Sequence, residues 1–339
     1  MPKRSKDTQT TNLILMTEWY SKDNLRHIWK YVKSEIRDDF IVDVINYEDI
    51  KLNLEQVLSS LYTSIRDNQY YPAPLVRIGV PKNDHSVRPG AVISVIDLIV
   101  LYALIQQIAP IIDPFLSDSA YAYRLNPKAD KPREPLFKDR SEVHSDKGQK
   151  KQKENAQEEE ETAVEGGFPS NWFENWKAFH DASKLASQKY DHVAVTDITA
   201  YFENISLGLL REKLKEKLNS DEHFELIDRL FRLLEFWDWT PSGNHPRGIG
   251  LPQGNDVSSF LSNLYLMALD KEMLSIVSGD TSKYGRYVDD IKLFTSNQDE
   301  ARQALVRLEE VLRELNMKAI IKTVINMTKE IPISINSCF

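Results

Sequence analysis

The tetrapeptide Tyr287-Val288-Asp289-Asp290 lies between two β-prone runs, Lys283–Val288 and Ile291–Phe294. Strand signals on either side of so short a polar tip predict a tight hairpin. Such a hairpin carries two adjacent carboxylates at its tip, where they can hold hard divalent cations through oxygen. Alone, the tetrapeptide would arise by chance in about one chain in thirty of this length at average composition. Its company gives it weight. Asp197-Ile198-Thr199-Ala200-Tyr201-Phe202 follows the β-prone run Val193–Val195 and sets another carboxylate at a strand end. Between the two lies Gly250-Leu251-Pro252-Gln253-Gly254, a glycine-bounded turn leading to Ser258, Ser259 and Asn263. Taken singly, Asp197 would cap a turn, Asp289-Asp290 would be an ordinary hairpin tip, and the glycine segment would start a helix. Taken in this order, they predict a metal site in which Asp197 and Asp289 meet on neighbouring strands, with Asp290 beside them.

Composition narrows the setting. With 339 residues, 41% of them hydrophobic and 28% charged, the chain suits one large or two modest globular domains. The single cysteine, Cys338, excludes a disulfide within the chain and argues against a thiolate metal site. A reducing, cytoplasmic location is the expectation. The start, Met1–Asp7, lacks the apolar segment of a signal peptide. Ala91–Ile112 is apolar, but Ser94, Asp97, Gln106 and Gln107 interrupt it, so a strand followed by a buried helix is expected rather than a membrane span. The net charge of −8 is unlike that of a typical nucleic-acid binder. Such a protein needs only a local basic track, however, and a cation-binding centre is itself acidic. The seven histidines are scattered, with no His-Glu-x-x-His pattern, which disfavours a zinc enzyme.

Along the chain, residues 1–12 are polar. Leu25, Ile28, Trp29 and Val32, then Leu54, Val57, Leu58 and Leu61, mark amphipathic helices. After Tyr70-Tyr71-Pro72-Ala73-Pro74, Leu75–Val80 is expected as a strand and Pro81–Pro89 as a polar turn carrying Lys82 and Arg88. Pro127–Pro169, with its charge blocks Lys147–Lys153 and Glu158–Glu161, has few large apolar residues and reads as a flexible insertion. Helices are expected at Asn171–Gln188, Leu207–Leu218, Phe224–Phe236, Val257–Val277 and Gln298–Leu315, and strands at His192–Thr196 and Ala319–Ile325. Asn326–Glu330 reads as a turn. This mixture predicts an α+β fold.

Carboxylates so arranged suit phosphoryl transfer from a nucleoside triphosphate with two divalent cations, Mg²⁺ first and Mn²⁺ as a substitute. Gln253 offers donor and acceptor to a nucleotide or template base, and Gly254 allows close backbone approach. The Phe202 ring could sit under an incoming sugar and clash with a 2′-hydroxyl; by itself it would be a core aromatic. Lys82 and Arg88 could bind the triphosphate.

From Tyr70 to about Glu330 the chain resembles the fingers and palm of reverse transcriptases, most nearly the prokaryotic branches: abortive-infection or defence-associated, retron and group II intron enzymes. Asp197 to Ile205 matches the first palm motif, Leu251–Gly254 with Ser258 and Asn263 the second, and Tyr287–Asp290 the third. Pro81-Lys82, Arg88-Pro89 and Ile96-Asp97 resemble the fingers motif that grips triphosphate and template, and Ser119–Arg124 a further family segment. Asn326-Met327-Thr328-Lys329 resembles the fourth palm motif, which makes Lys329 a candidate for protonating pyrophosphate. The resemblance implies a right-hand polymerase whose antiparallel palm sheet is packed by helices. It also implies metal ligands at Asp197, Asp289, Asp290 and the Ile198 backbone carbonyl, and a sugar gate at Phe202.

The implied organisation is a helical extension over 1–69, fingers over 70–126, a charged insertion over 127–170 and a palm over 171–339. Implied partners are an RNA template, a DNA or RNA primer and dNTPs, with no membrane. A cognate non-coding RNA is a further implied partner. Leu98 after Asp97, and the lack of Gly-Gly after Gly254, depart from the intron-enzyme pattern. The chain stops soon after Glu330, before the primer grip and thumb expected of the family, which points to a second chain supplying them or to a fragment. Rival expectations are a non-catalytic RNA-binding or assembly subunit, and a template-independent or protein-primed DNA polymerase.

Overall fold

Leu25, Ile28, Trp29 and Val32 recur at helical spacing, and all four are buried along helix α1 (Lys22–Arg37). This observation comes from a computed structural model of the chain, which describes residues 19–37, 44–83, 86–125, 172–237 and 247–326. The expected insertion, the polar residues 1–12 and Lys329 lie outside these.

The contacts divide the chain into two units. The first is helical: α1, α2 (Val44–Leu52), α3 (Leu54–Arg66) and the first part of α4 (Val95–Ile112). Leu58, Leu61 and Ile65 of α3 and the run Leu98–Ile105 of α4 are buried in it. Asn24 donates to the Gln106 side chain at 2.8 Å, and Tyr31 packs on Tyr102 with ring centroids 5.0 Å apart. Asp97, placed by resemblance in a triphosphate-gripping motif, is buried here. It accepts from the Tyr70 hydroxyl at 2.5 Å and the Ala73 amide at 2.8 Å, so it fastens the Tyr70–Ala73 segment to the first turn of α4. Val95–Phe115 is long and apolar enough to cross a membrane, but most of it is buried inside the protein.

Strands β1 (Val76–Asn83) and β2 (Ser86–Val92) pair in a two-stranded sheet. The expected polar turn Pro81–Pro89 is therefore mostly strand. Ladder pairing gives polar residues backbone partners that their composition does not reveal. Lys82 and Arg88 fall on these strands; their side chains lie outside the described residues.

The second unit is built on a four-stranded sheet of order β4-β5-β3-β6, antiparallel at every step. Its strands are β3 (His192–Ile198), β4 (Tyr284–Tyr287), β5 (Asp290–Thr295) and β6 (Ala319–Asn326). The α+β class expected from the sequence is what this sheet and its helices form. Period-two alternation sorts the side chains by face. One face carries Val193, Val195 and Phe294, which cluster with Ala186 and Tyr190 at the end of α5 (Trp172–Lys189). The other carries Tyr284 and Arg286, which meet Asp270 on α9 (Met267–Ile276). Helix α10 (Gln298–Glu314) carries the chain from β5 to β6. Its apolar stripe of Ala301, Ala304, Leu305, Leu308 and Leu312 is buried. Asn297 caps it by accepting from the Glu300 amide at 2.9 Å while its own amide donates to the Glu300 carboxylate at 2.8 Å, a reciprocal cap that fixes where the helix starts.

The connection between β3 and β4 holds α6 (Leu207–Lys217), α7 (Asp221–Trp237), α8 (Asp256–Tyr265) and α9. The single helix expected over Val257–Val277 is two helices, broken at Leu266, whose ψ of 4° leaves the helical range. The Ser262 hydroxyl donates back to the Ser259 carbonyl at 2.7 Å, a contact that bends helices.

Candidate active site

Strand register decides which carboxylates meet. In the β3–β5 ladder Asp197 is the partner of Asp290. Tyr287 pairs with Asp290 across the β4–β5 hairpin, leaving Val288 and Asp289 as a two-residue tip. The Asp289 carbonyl accepts from the Ile198 amide at 3.3 Å, which ties the tip to the end of β3. The three predicted carboxylates are thus brought together at one end of the sheet. Val288 has φ +58°, a left-handed conformation strained for a β-branched residue and normally left to glycine at a hairpin tip.

Holding the tip in that shape falls to Arg286, Asp270 and Tyr284, which sequence reasoning missed, together with Asn263 and Ser119–Arg124, which it had singled out. Arg286, fully buried, donates through Nη1 to the Val288 carbonyl at 3.0 Å and to the Asn263 side chain at 2.9 Å. Its Nε and Nη2 grip both oxygens of Asp270 at 2.8 and 2.7 Å. Tyr284 donates to the same carboxylate at 2.5 Å. Asn263 in turn donates to the Ala122 carbonyl at 2.7 Å. The Ser119–Arg124 segment is held beside β4 by exchange of backbone bonds, Tyr121 to Arg286 at 2.9 Å and Arg286 to Ser119 at 2.8 Å. One signal was available: a charged residue alternating with aromatics in an apolar strand requires a buried counter-charge.

The second motif is joined to the first through backbone. Leu251 donates to the Phe202 carbonyl and Gly250 to the Ile205 carbonyl, each at 2.8 Å. Gly250 has φ +101°, and a Cβ there would lie 3.5 Å from the Glu203 carbonyl oxygen. That distance is ordinary van der Waals contact, so it is the positive φ that calls for glycine. Asn255 then caps α8, accepting from the Ser258 amide at 2.8 Å. Phe202 is half-buried against Tyr201, with ring centroids 5.2 Å apart, and Gln253 is partly exposed beside the exposed Gly254. The structure therefore brings Asp197, Phe202, Asp289 and Asp290 onto connected elements with the Gly250–Gly254 turn.

The charges are unbalanced. Burial, followed by the Asp197 charge, pushes the Asp289 carboxyl up to about 6. Burial, then the nearby Asp256, raises the Tyr287 hydroxyl to about 12, so it stays protonated. Lys322 on β6, also missed from sequence, reaches Asp290 at 2.6 Å and Asp197 at 3.2 Å. Burial pulls its ammonium down, but the bonds and charges of Asp290 and Asp197 outweigh it, and the net shift is upward. Lys292, 3% exposed, lies on the same sheet face as Asp290 with Nζ 4.8 Å from the centre of the Phe179 ring.

Among the described residues, no three His, Cys, Asp or Glu side chains form a ready-made metal cluster. Mg²⁺ does not need one, since it keeps several waters and takes one or two carboxylates plus substrate phosphates. Two observations fit a hard cation here: crowded carboxylates that push Asp289 toward its neutral form, and a lysine ammonium drawn in as a stand-in cation.

Residues 80–328 match the protein family described as Reverse transcriptase (RNA-dependent DNA polymerase). The chain is also 24% identical over 230 residues to the Group II intron-encoded protein LtrA of Lactococcus lactis subsp. cremoris, and to the same protein of its strain MG1363. Each alignment covers 66% of this chain and 29% of the relative, so the chain spans less than a third of the length of the curated relatives it matches.

Two outcomes are expected from this geometry. Arg286→Met leaves the Asp270 carboxylate buried without its guanidinium and should cost about 3–5 kcal/mol in urea unfolding. Asp289→Asn should stabilise the metal-free protein at pH 7.5. A carboxyl whose folded pKa lies above its unfolded one stabilises relatively at low pH and loses that contribution as pH rises from about 4 to 6. The variant should therefore gain on the order of 1–3 kcal/mol at pH 7.5 and little at pH 4, read by thermal unfolding in chelator at both values.

Proposed function

This chain belongs to the reverse transcriptase family, and from that premise we propose that it is an RNA-directed DNA polymerase, extending a primer 3′-hydroxyl with deoxynucleotides. In this reading the β3–β6 sheet and its helices are the palm of a right-hand fingers–palm architecture. The observation that carries the reading is the strand register that sets Asp197 against Asp290 and beside Asp289, on elements that also hold the Phe202 and Gly250–Gly254 turns. Bound there, two Mg²⁺ ions, or Mn²⁺ in their place, would supply Lewis acidity at the primer hydroxyl and the departing pyrophosphate.

The chain's own residues have separate tasks. Asp197, Asp289 and the Ile198 carbonyl are the metal ligands, and Asp290 supports them. Arg286 fixes the hairpin tip, so the ligands are positioned before substrate arrives. The Phe202 ring lies under the sugar and excludes a 2′-hydroxyl, while Gln253 and the Gly254 backbone meet the nucleotide. Lys82 and Arg88 bind the triphosphate, and Lys329 protonates pyrophosphate. The partners are an RNA template, a DNA or RNA primer and dNTPs, in the cytoplasm, with a cognate non-coding RNA or a second chain completing the grip on the duplex. A role in phage defence rests on nothing but the resemblance to defence-associated branches.

Primer extension on an RNA template with Mg²⁺ tests this. The wild-type chain should incorporate dNTPs, and Asp289→Asn should lose about a thousandfold or more in rate. Extension unchanged in the variant, or absent from a folded wild type that still binds RNA, would overturn the reading; the latter would leave an assembly subunit. DNA covalently attached to the protein would identify protein priming instead. Phe202→Val should retain dNTP incorporation but lose about ten- to a hundredfold of its preference for dNTP over rNTP, measured as a ratio of kcat/KM values.

A further inference from the structure

We infer that Lys322 is the built-in counterion of the metal-free centre, occupying the carboxylates that a divalent cation takes and displaced when that cation binds. This rests on the metal-binding reading of Asp197, Asp289 and Asp290 and adds a residue outside the motif segments quoted above.

The geometry begins with the sheet. Asp197 faces Asp290 on β5 and Ile320 on β6, and residues paired across a ladder share a face. Lys322 is two residues beyond Ile320, so it lies on that face too. There the β3–β6 register slips: Thr196 pairs with Ile321 but Val195 with Thr323, which makes Lys322 the extra residue of a bulge. Bulges bend a strand locally and re-aim the side chain they carry. The Lys322 Nζ lies 2.6 Å from Asp290 Oδ1 and 3.2 Å from Asp197 Oδ2, bridging carboxylates from two different strands.

A single exposed lysine–carboxylate pair contributes little. This one differs in where it sits and in what it excludes. A Mg²⁺ ion binds carboxylate oxygen at about 2.0–2.1 Å, so an ammonium already in contact with both carboxylates fills the space and repels a second cation. Lys322 brings a single positive charge to two of the carboxylates at this end of the sheet, where a divalent ion would bring two. The lysine side chain is 41% exposed, so it has a path into solvent once displaced. The apparent affinity for metal is then the intrinsic affinity reduced by the fraction of chains whose lysine has left.

The test is Mn²⁺ titration of the full chain, with free Mn²⁺ followed by electron paramagnetic resonance. The comparison includes wild type, Lys322→Met, Lys322→Gln and Asp197→Asn, each checked for folding by circular dichroism. Both lysine variants should bind Mn²⁺ about tenfold more tightly than wild type at the site that Asp197→Asn abolishes. Without metal they should melt below wild type, and saturating Mn²⁺ should raise their midpoints more than it raises that of wild type. Asp197-dependent binding that is equal or weaker in both lysine variants would overturn the counterion role and leave the metal site standing. No Asp197-dependent binding in any variant would overturn the metal reading, and this inference with it.

Discussion

Arg286 carries its charge where no water reaches, and Asp270 is what makes that tolerable. The pair is 0% and 1% exposed, and the guanidinium spans both carboxylate oxygens. Removing two ions from water costs several kcal/mol each unless geometry and additional hydrogen bonds compensate. Here the compensation is complete enough to define the surroundings. Asp270 also accepts from Tyr284, and the remaining arm of Arg286 reaches Asn263 and the Val288 carbonyl. Helices α8 and α9, the Ser119–Arg124 segment and the hairpin tip therefore share one network. Its function is to keep the strained Val288 in place, since a left-handed β-branched residue persists only where its surroundings over-determine it.

What could be read from the sequence divides along the same line. The hairpin, the strand before Asp197 and the capped amphipathic helix α10 depend on local pattern: a turn flanked by strand formers, or apolar residues every third or fourth position. Those were legible. Asp197 and Asp289 meet only because β3 inserts between β5 and β6, a non-local choice. The sequence permits it without requiring it, because β3 is apolar on both faces and shows no alternation to reveal its neighbours. The break at Leu266 was hidden for the opposite reason, since local propensity runs straight through it. Arg286, Asp270 and Lys322 escaped because a charged side chain on a strand or helix ordinarily marks a solvated face. Only packing shows that two of these charges are buried and that the third lies against the site.

The carboxylate end of the sheet is poorly satisfied by comparison. Asp197, Asp289 and Asp290 crowd together, with the Lys322 ammonium bridging Asp197 and Asp290, and burial drives Asp289 toward protonation. Functional sites commonly sacrifice stability in this way. The overall charge of −8 is therefore no argument against a nucleic-acid substrate. What matters for such a substrate is the sign of the field at the reacting phosphate, and bound cations would invert it locally.

The two kinds of fastening in the site suit two different demands. The hairpin tip is held by a buried ion pair, which is rigid and fails abruptly if either partner is lost. The Gly250–Gly254 turn is held to Phe202 and Ile205 by backbone hydrogen bonds, with Gly250 at φ +101°, and the Asn255 side chain donates to the Pro252 carbonyl at 3.0 Å. On this turn and its neighbour, Phe202 touches the Tyr201 ring and Gln253 is partly exposed. On the proposed polymerase reading, a surface that accepted different bases in turn would need that separation: rigidity under the carboxylates, and a separately positioned turn carrying the side chains that would face the nucleotide.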